Sequence, residues 1–219
     1  MVQWVYERAV ESGIADRVLV ATPDSEIADR CTDFGGEAVI TRDDHPSGTD
    51  RIAEVAKTHE TDVYVNVQGD EPLIDPASIA ACATPILRPS MPSAVKIDIA
   101  SVYAFCQPDE LENPAVVKVA TDLEGFALYF SRYPVPFARN PRTQTVKKHV
   151  GIYAYRREAL LAFAMWQPTP LEQAESLEQL RFLEHGYRMI MSAAAGSEPA
   201  VDTPEQAEEV RAILAARGV

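Results

Sequence analysis

The chain has 219 residues, 47% of them apolar, which suits one large domain, or one domain with a lobe, built on a real core. Its formal charge of −13 argues against a nucleic-acid or anionic-membrane surface, because the field repels phosphates at long range. A single small anionic substrate, held by local arginines or a metal ion, stays compatible with that charge.

Cys31, Cys82 and Cys106 form no C-x-x-C pair and read as buried small hydrophobes of a reducing compartment. No signal peptide is visible and no apolar run is long enough to span a bilayer, so a cytoplasmic protein is expected.

In chain order, "MVQWVYERAVESG" predicts a helix with Val2, Val5, Tyr6, Ala9 and Val10 on one face and Gly13 as its stop. "RVLVAT" is a short buried strand. "PDSEIADRCTDFGG" is a helix opened by proline, with acids in its first turn. "EAVIT" is a second strand, "TDRIAEVAKTH" a helix, "VYVNVQ" a third strand and "DPASIAACATPIL" a helix. Strands alternating with helices on short connections predict a parallel sheet covered on both faces.

The pattern changes after Pro89. "KIDIASVYAFC", "AVVKVATD", "FALYFSR" and "VKKHVGIYAYRR" are extended segments, two of them joined by the turn "DLEG". A helix near "EALLAFAMW", a single helix over "PLEQAESLEQLRFLEHG", a strand "YRMIMSAAA" and a closing helix "TPEQAEEVRAILAARG" follow. The expected fold is therefore α/β: a mostly parallel three-layer sheet with a smaller antiparallel lobe, as one domain over residues 1–219. Residues 1–88 form its N-terminal part and residues 89–219 its other part. The Pro- and Arg-containing stretch from Tyr133 to Thr145 is the candidate mobile or interface loop.

Ligands of open α/β sheets bind outside the carboxyl ends of the parallel strands. Three such ends carry unusual residues: Thr22-Pro23, Arg42 through Arg51, and Gln68 through Pro72. Asp70, on a glycine turn, suits Mg²⁺, which takes hard oxygen ligands and shares them with phosphates; the plainer reading is a turn cap. Gly69 permits close backbone approach, and Gln68 offers an amide to a base edge. In "HPSGTDR", Ser47 or Thr49 reads by itself as an N-cap; Arg51, one turn in, can reach a phosphate or a pyrimidine carbonyl. Asp202, before Thr203-Pro204, reads as a capping residue or as a second carboxylate on the metal of Asp70. Arg132, Lys147, Lys148, His149, Tyr153 and Arg156 form a local basic cluster in an acidic chain, a candidate for an acidic small molecule. Within the long helix, Leu171, Ala174, Leu177, Leu180 and Leu183 form the core face, which leaves Glu178, Gln179 and Arg181 solvated.

Taken together and in order, "SGTDR", "VNVQGDEP", "NPAVVKV", "ALYFSR", "HVGIYAYR", "WQPTPLEQAESLEQLR" and "VDTPE" resemble the 3-deoxy-manno-octulosonate cytidylyltransferase (CMP-Kdo synthetase) family over nearly the whole chain. The resemblance implies a nucleotide-diphospho-sugar transferase fold. It also implies a homodimer that requires Mg²⁺ and couples the acidic sugar Kdo to CMP from CTP, releasing pyrophosphate, for lipopolysaccharide biosynthesis. Residues 1–88 are then the nucleotide-binding part, N-terminally incomplete, and residues 89–219 carry sugar binding and dimerisation. Carried over residue by residue, Asp70 and Asp202 match the metal-binding, catalytic acids. Arg51 and Gln68 match nucleotide-contacting positions, and Arg132, His149, Tyr153, Glu178 and Gln179 match sugar-binding ones.

The family opens with a strand and a loop bearing Gly, Arg and Lys that cradles the CTP phosphates, whereas this sequence starts directly at the first helix. The expectation is that the sequence as it stands is inactive or nearly so, since losing one electrostatic contact to a transferring phosphoryl group costs roughly 10²–10³ in rate. A non-catalytic nucleotide- or sugar-binding subunit is the alternative. A glycosyltransferase with an acid-rich metal turn is a third reading, disfavoured by the resemblance.

Overall fold

A computed structural model describes residues 1–88, 96–140, 145–196, 200–201 and 203–216. Helix α1 (Val2–Glu11) is followed by β1 (Val20–Thr22), α2 (Ser25–Asp33), β2 (Ala38–Ile40), α3 (Gly48–Thr58), β3 (Val63–Asn66) and α4 (Pro76–Leu87). Four strands come next: β4 (Ile99–Phe105), β5 (Lys118–Thr121), β6 (Ala127–Ser131) and β7 (Lys147–Arg156). The chain continues with α5 (Arg157–Phe163), α6 (Pro170–Glu175), α7 (Gln179–Glu184), β8 (Met189–Ala193) and α8 (Pro204–Ala216).

The α/β class and the predicted element order are present. Local chemistry sets the helix starts. Asp24 caps α2 by accepting from the amides of Glu26 and Ile27, so Pro23 lies just outside that helix and does not open it. Ser47 caps α3 through the Asp50 amide, and Asp75 caps α4 through the Ala77 amide. On α1, Val2, Val5, Tyr6 and Ala9 face a common cavity, whereas Val10 is 53% exposed and leaves the predicted face.

The sheet is more mixed than the alternation of elements predicts. Strands β1 and β2 pair in parallel as a two-stranded sheet, and β3 pairs with neither of them. It runs antiparallel to β7 instead, with Val63 opposite Arg156 and Asn66 opposite Tyr153. The large sheet has the order β6-β5-β7-β4-β8, in which β4 and β8 are parallel and the other neighbours antiparallel. Because β3 precedes residue 89 and β7 follows it, the two parts of the chain share one sheet.

Strand β7 is the organising element. Its ten residues lie along β4 on one edge, so β5 (at Lys147 and Lys148) and β3 (at Tyr153 to Arg156) divide the other. Between these two pairings the register slips. Ser101 faces Tyr153 but the next residue, Val102, faces Val150, so Gly151 and Ile152 bulge from the ladder. The Ser101 hydroxyl satisfies the bulge by donating to the Ile152 carbonyl at 2.7 Å.

Alternating side chains of the large sheet feed two cores. Tyr64, Ile99, Tyr153 and Tyr155 pack with α3, α5 and α7 on one face. Ala100, Val102, Val150, Ile152 and Ala154 pack against α4 on the other. Cys31 and Cys82 are buried and unbridged, and Cys106 is half-buried and unbridged, as their reading as small hydrophobes requires.

The largest departure lies between residues 170 and 184, where one helix was expected. Ser176 adopts a left-handed conformation at φ +52°, costly for a side-chain-bearing residue, and splits the segment into α6 and α7. The break rotates the second half. Leu171 becomes 40% exposed and Ala174 exposed, while Gln179 and Arg181 are buried. Arg181 is satisfied there by a two-pronged pair with the Glu172 carboxylate, with Nε to Oε2 at 2.7 Å, and it lies over the Phe163 ring at 4.0 Å.

Candidate active site

The three strand ends singled out in the sequence converge. The Thr41 amide donates to the Thr22 carbonyl at 3.0 Å, which ties the end of β2 to that of β1. Arg51, projecting from α3, donates through Nη1 to Thr41 Oγ1 at 2.6 Å and to the Arg42 carbonyl at 2.8 Å. At the first turn of α3, a side chain on Gly48 would meet the Gln68 amide at 3.6 Å and Asn66 Nδ2 at 3.7 Å. On the opposite side of Gln68, a side chain on Gly151 would meet Glu71 Oε1 at 3.4 Å and Gln68 Cγ at 3.6 Å. Gln68 thus lies between two backbone positions that carry no side chain, one on α3 and one on the β7 bulge.

Gly48, Arg51, Asn66 and Gln68 form the polar end of a cavity of about 880 Å³. The rest of its wall comes from α1, from residues 14–21 leading into β1, from residues 58–62 and from β3, and it includes the charged Asp16, Arg17, Glu60 and Asp62. Asn66 is buried, and its Nδ2 has no partner among the described residues. A buried amide donor left without an acceptor is unfavourable by about 1–3 kcal/mol. The sequence reading passed over Asn66, although an amide among the β-branched residues of "VYVNV" was a visible signal.

Asp70 sits on the turn after β3 and is half-buried. Its carbonyl accepts from the Val201 amide at 2.8 Å. That bond joins the turn to the chain immediately before Asp202, which itself lies outside the described residues. No group of three or more His, Cys, Asp or Glu side chains that could hold a metal ion occurs among the described residues. The donor chemistry of Asp70 and Asp202, with the Val201 bond between their segments, nevertheless fits a hard divalent cation that takes one or two protein carboxylates and draws its other oxygens from elsewhere.

The sequence-predicted sugar residues fall in two groups. His149, Tyr153, Glu178 and Gln179 come inward. The His149 ring lies between Phe130 and Tyr153, 5.1 and 5.2 Å away, and its Nε2 is 2.9 Å from Ser101 Oγ. Burial pushes its pKa down to about 3, so the imidazole is neutral. Burial, and the neighbouring Glu178 and Glu71 carboxylates, hold the Tyr153 phenol well above its ordinary pKa. Glu178 is the residue before α7; its Oε1 accepts from Thr49 Oγ1 at 2.8 Å, and its Oε2 has no partner among the described residues. Desolvation raises its pKa, opposed by the hydroxyls of Ser47 and Thr49. Far from belonging to a solvated helix face, Glu178 and Gln179 are packed in, for the reason given by Ser176.

Arg132 is engaged elsewhere: Nε donates to the Glu175 carbonyl at 2.8 Å, Nη1 to that of Pro114 at 3.0 Å and Nη2 to that of Ser176 at 3.3 Å. It fastens β6 to the turn that precedes Glu178. The remaining cations of the expected basic cluster disperse along the long strand. Lys148 pairs with Glu110, Lys147 bonds Thr121 and covers the Tyr103 ring, and Arg156 binds the carbonyls of Ile97 and Ile86. They form no common anion site, because a ten-residue strand spreads them over roughly 30 Å.

Comparison with known proteins shows what the chain is similar to. Residues 1–191 match the cytidylyltransferase family. The 3-deoxy-manno-octulosonate cytidylyltransferase of Syntrophotalea carbinolica is 45% identical over 225 residues, covering 98% of this chain and 88% of the relative. That of Geotalea daltonii is 45% identical over 231 residues, covering 100% and 89%. Among solved structures, a CMP:2-keto-3-deoxy-manno-octonic acid synthetase complexed with CTP superimposes with a TM-score of 0.92 at 40% identity, covering 99% of this chain and 88% of that one.

Proposed function

The chain belongs to the cytidylyltransferase family, and from that premise we propose that it is a nucleotidyltransferase activating Kdo with CTP to give CMP-Kdo and pyrophosphate. The reading rests on the placement of Gln68, flanked by the side-chain-free positions Gly48 and Gly151 at the meeting point of α3, β3 and β7. An amide in that position has room to present its donor and acceptor to a pyrimidine edge, with Arg51 beside it at the cavity wall.

In the reaction the anomeric hydroxyl of the sugar attacks the α-phosphorus of CTP. The new bond is oxygen to phosphorus, the bond that breaks leads to pyrophosphate, and the hydroxyl proton leaves to solvent. We assign Asp70 and Asp202 as the residues that hold Mg²⁺. When bound, the ion neutralises charge on the α-phosphate and lowers the pKa of a bound hydroxyl.

The chain's own residues then bind and orient the sugar. The Tyr153 phenol, kept protonated, donates a hydrogen bond. The neutral His149 ring, held by Ser101, offers a hydrogen bond without charge. Glu178 accepts from a sugar hydroxyl through Oε2, and Gln179 adds its amide next to it. Arg132 has five N–H donors, of which three are bonded to carbonyls, and we assign the other two to the sugar carboxylate. No side-chain nucleophile is required.

Mg²⁺ dependence, a homodimer and a cytoplasmic location complete the proposal. The exposed apolar side chains Leu128, Tyr133 and Phe137 support the dimer. Among the described residues no helix is long and apolar enough to cross a membrane. The deciding experiment measures pyrophosphate release from CTP with and without Kdo, for the protein and for Asp70→Asn. Release that needs both substrates and Mg²⁺ and is lost in the variant bears the reading out. Binding of one ligand alone, with no release, favours a non-catalytic binding subunit.

A further inference from the structure

We infer that Thr49 is a positioning residue: its hydroxyl fixes the carboxylate of Glu178 and thereby sets the nucleotide end of α3 and the sugar side of the site in one geometry. This rests on the reading of Glu178 as a sugar contact and deepens it.

Thr49 is the second residue of α3 and is fully buried. Its hydroxyl does not cap the helix, because Ser47 takes that role by accepting from the Asp50 amide at 3.2 Å. A buried hydroxyl is unfavourable unless bonded, and this one has two partners far away in sequence. It donates to Glu178 Oε1 at 2.8 Å and lies 3.1 Å from the Tyr155 hydroxyl. A threonine carries a single O–H proton, and the carboxylate takes it, so the phenol donates to Thr49 Oγ1. The result is a directional chain from Tyr155 of β7, through Thr49 of α3, to Glu178 at the start of α7.

Tyr155 is itself immobilised, stacked between Tyr153 at 5.8 Å and Phe182 at 5.6 Å. One carboxylate oxygen of Glu178 is therefore occupied and oriented, and the other, Oε2, is buried without a partner among the described residues. Gly48, next to Thr49, is the residue that faces the Gln68 amide. The backbone turn that meets the nucleotide thus also carries the group that aims the sugar contact. Asp50 of α3, Tyr153 and Tyr155 of β7 and Arg181 of α7 also act electrostatically with Glu178. Asp50 disfavours the ionised carboxylate, whereas the hydroxyls of Ser47 and Thr49 and the Thr49 backbone amide favour it.

The test compares Thr49→Val, which keeps shape and removes the hydroxyl, with Thr49→Ser, which keeps the hydroxyl. Two quantities are read: steady-state pyrophosphate release against Kdo at saturating CTP, and the carboxyl-carbon NMR titration of Glu178, assigned by its loss in Glu178→Gln. Thr49→Val is expected to raise KM for Kdo about tenfold, the order expected for a hydrogen bond to a charged group, with KM for CTP within about twofold. It moves the Glu178 titration to higher pH, because a bond favouring the ionised form is gone. Thr49→Ser restores both. Should Thr49→Val not fold, Tyr155→Phe weakens the same chain one step upstream and shifts both readouts in the same direction by less. A Thr49→Val protein that loses thermal stability while KM for Kdo and the Glu178 titration stay unchanged overturns the inference. If wild-type protein releases no pyrophosphate, the functional reading fails, and the titration alone still decides whether Thr49 holds the carboxylate.

Discussion

The amide of Val201 donates to the carbonyl of Asp70 at 2.8 Å, a bond between residues 131 positions apart in the chain. It brings the segment ending at Val201 onto the turn that follows β3. Val201→Pro deletes this donor without touching either carboxylate. The expected outcome is a several-fold rise in the Mg²⁺ concentration needed for half-maximal pyrophosphate release. Thermal stability should change little, since one such bond contributes about 0.5–1.5 kcal/mol net. Asp70→Asn, by contrast, should cost about 10²-fold or more in rate at any Mg²⁺ concentration. An unchanged Mg²⁺ requirement in Val201→Pro would show that the bond does not organise the site.

Gly151 provides a graded steric test. An added methyl would sit 3.4 Å from Glu71 Oε1 and 3.6 Å from Gln68 Cγ, which is ordinary contact, so Gly151→Ala should keep near-normal KM for CTP. The branched methyls of Gly151→Val reach further and must displace Gln68. KM for CTP should rise about tenfold or more, in keeping with the cost of displacing a positioning group by about 1 Å. Equal behaviour of the two variants would remove Gln68 from the nucleotide site.

Arg181 and Glu172 form a buried pair, at 3% and 9% exposure, and removing one partner strands the other charge. Arg181→Leu should destabilise the fold by about 3–5 kcal/mol in urea unfolding. The double variant Arg181→Leu with Glu172→Gln should recover part of that loss, since no ion is then left buried. A loss below about 1 kcal/mol in the single variant would mean that water reaches the pair.

How much of this was legible in the sequence can be followed through particular residues. The turn after β3, with Gln68 and Asp70, was readable because a β-branched run ending in Gly-Asp-Glu-Pro has few other uses. The convergence of Thr22, Arg51 and Gln68 was expected from consecutive strands, but β3 pairs with β7 and the ends meet through α3 instead. Two features were hidden by tertiary context. One left-handed residue, Ser176, broke a helical pattern that otherwise ran without interruption, and it turned Glu178, Gln179 and Arg181 from an apparent solvent face into core and candidate site. Thr49 read as a capping residue because its partners, Tyr155 and Glu178, lie more than a hundred positions away. Long-range pairing explains the sheet as well: nothing within "VYVN" distinguishes a neighbour in β1 from one in β7.

His149 makes stability pH-dependent with a definite sign. Its folded pKa is about 3, against an ordinary value of 6.5, so only the unfolded chain takes up this proton between those values. Its contribution is complete above pH 6.5 and is lost as pH falls from there toward 3, with a slope of up to about 1.4 kcal/mol per pH unit. Urea titrations from pH 7 to 4 should show this slope in the protein and a shallower one in His149→Gln, whose amide can still meet Ser101. Identical slopes would place the imidazole in solvent.

Glu178 carries the opposite sign. Its folded pKa is raised by burial, so the unfolded chain ionises more readily, and the residue costs stability as pH rises from the ordinary carboxylate value through the folded one. Above that folded value the fold holds a buried carboxylate with one oxygen, Oε2, unpartnered among the described residues. Glu178→Gln keeps the shape and the acceptor for Thr49 while replacing the ion by an amide, whose unmet donor is less unfavourable to bury than a charge. The variant should therefore melt higher than wild type at pH 7.5, and the difference should shrink as pH falls toward 5. Kdo-dependent pyrophosphate release should drop by tenfold or more, because the unpartnered acceptor is gone. Such a gain in stability at the expense of activity is the mark of a strained group retained for binding. A Glu178→Gln protein that is less stable at neutral pH yet fully active would assign Glu178 to the scaffold instead.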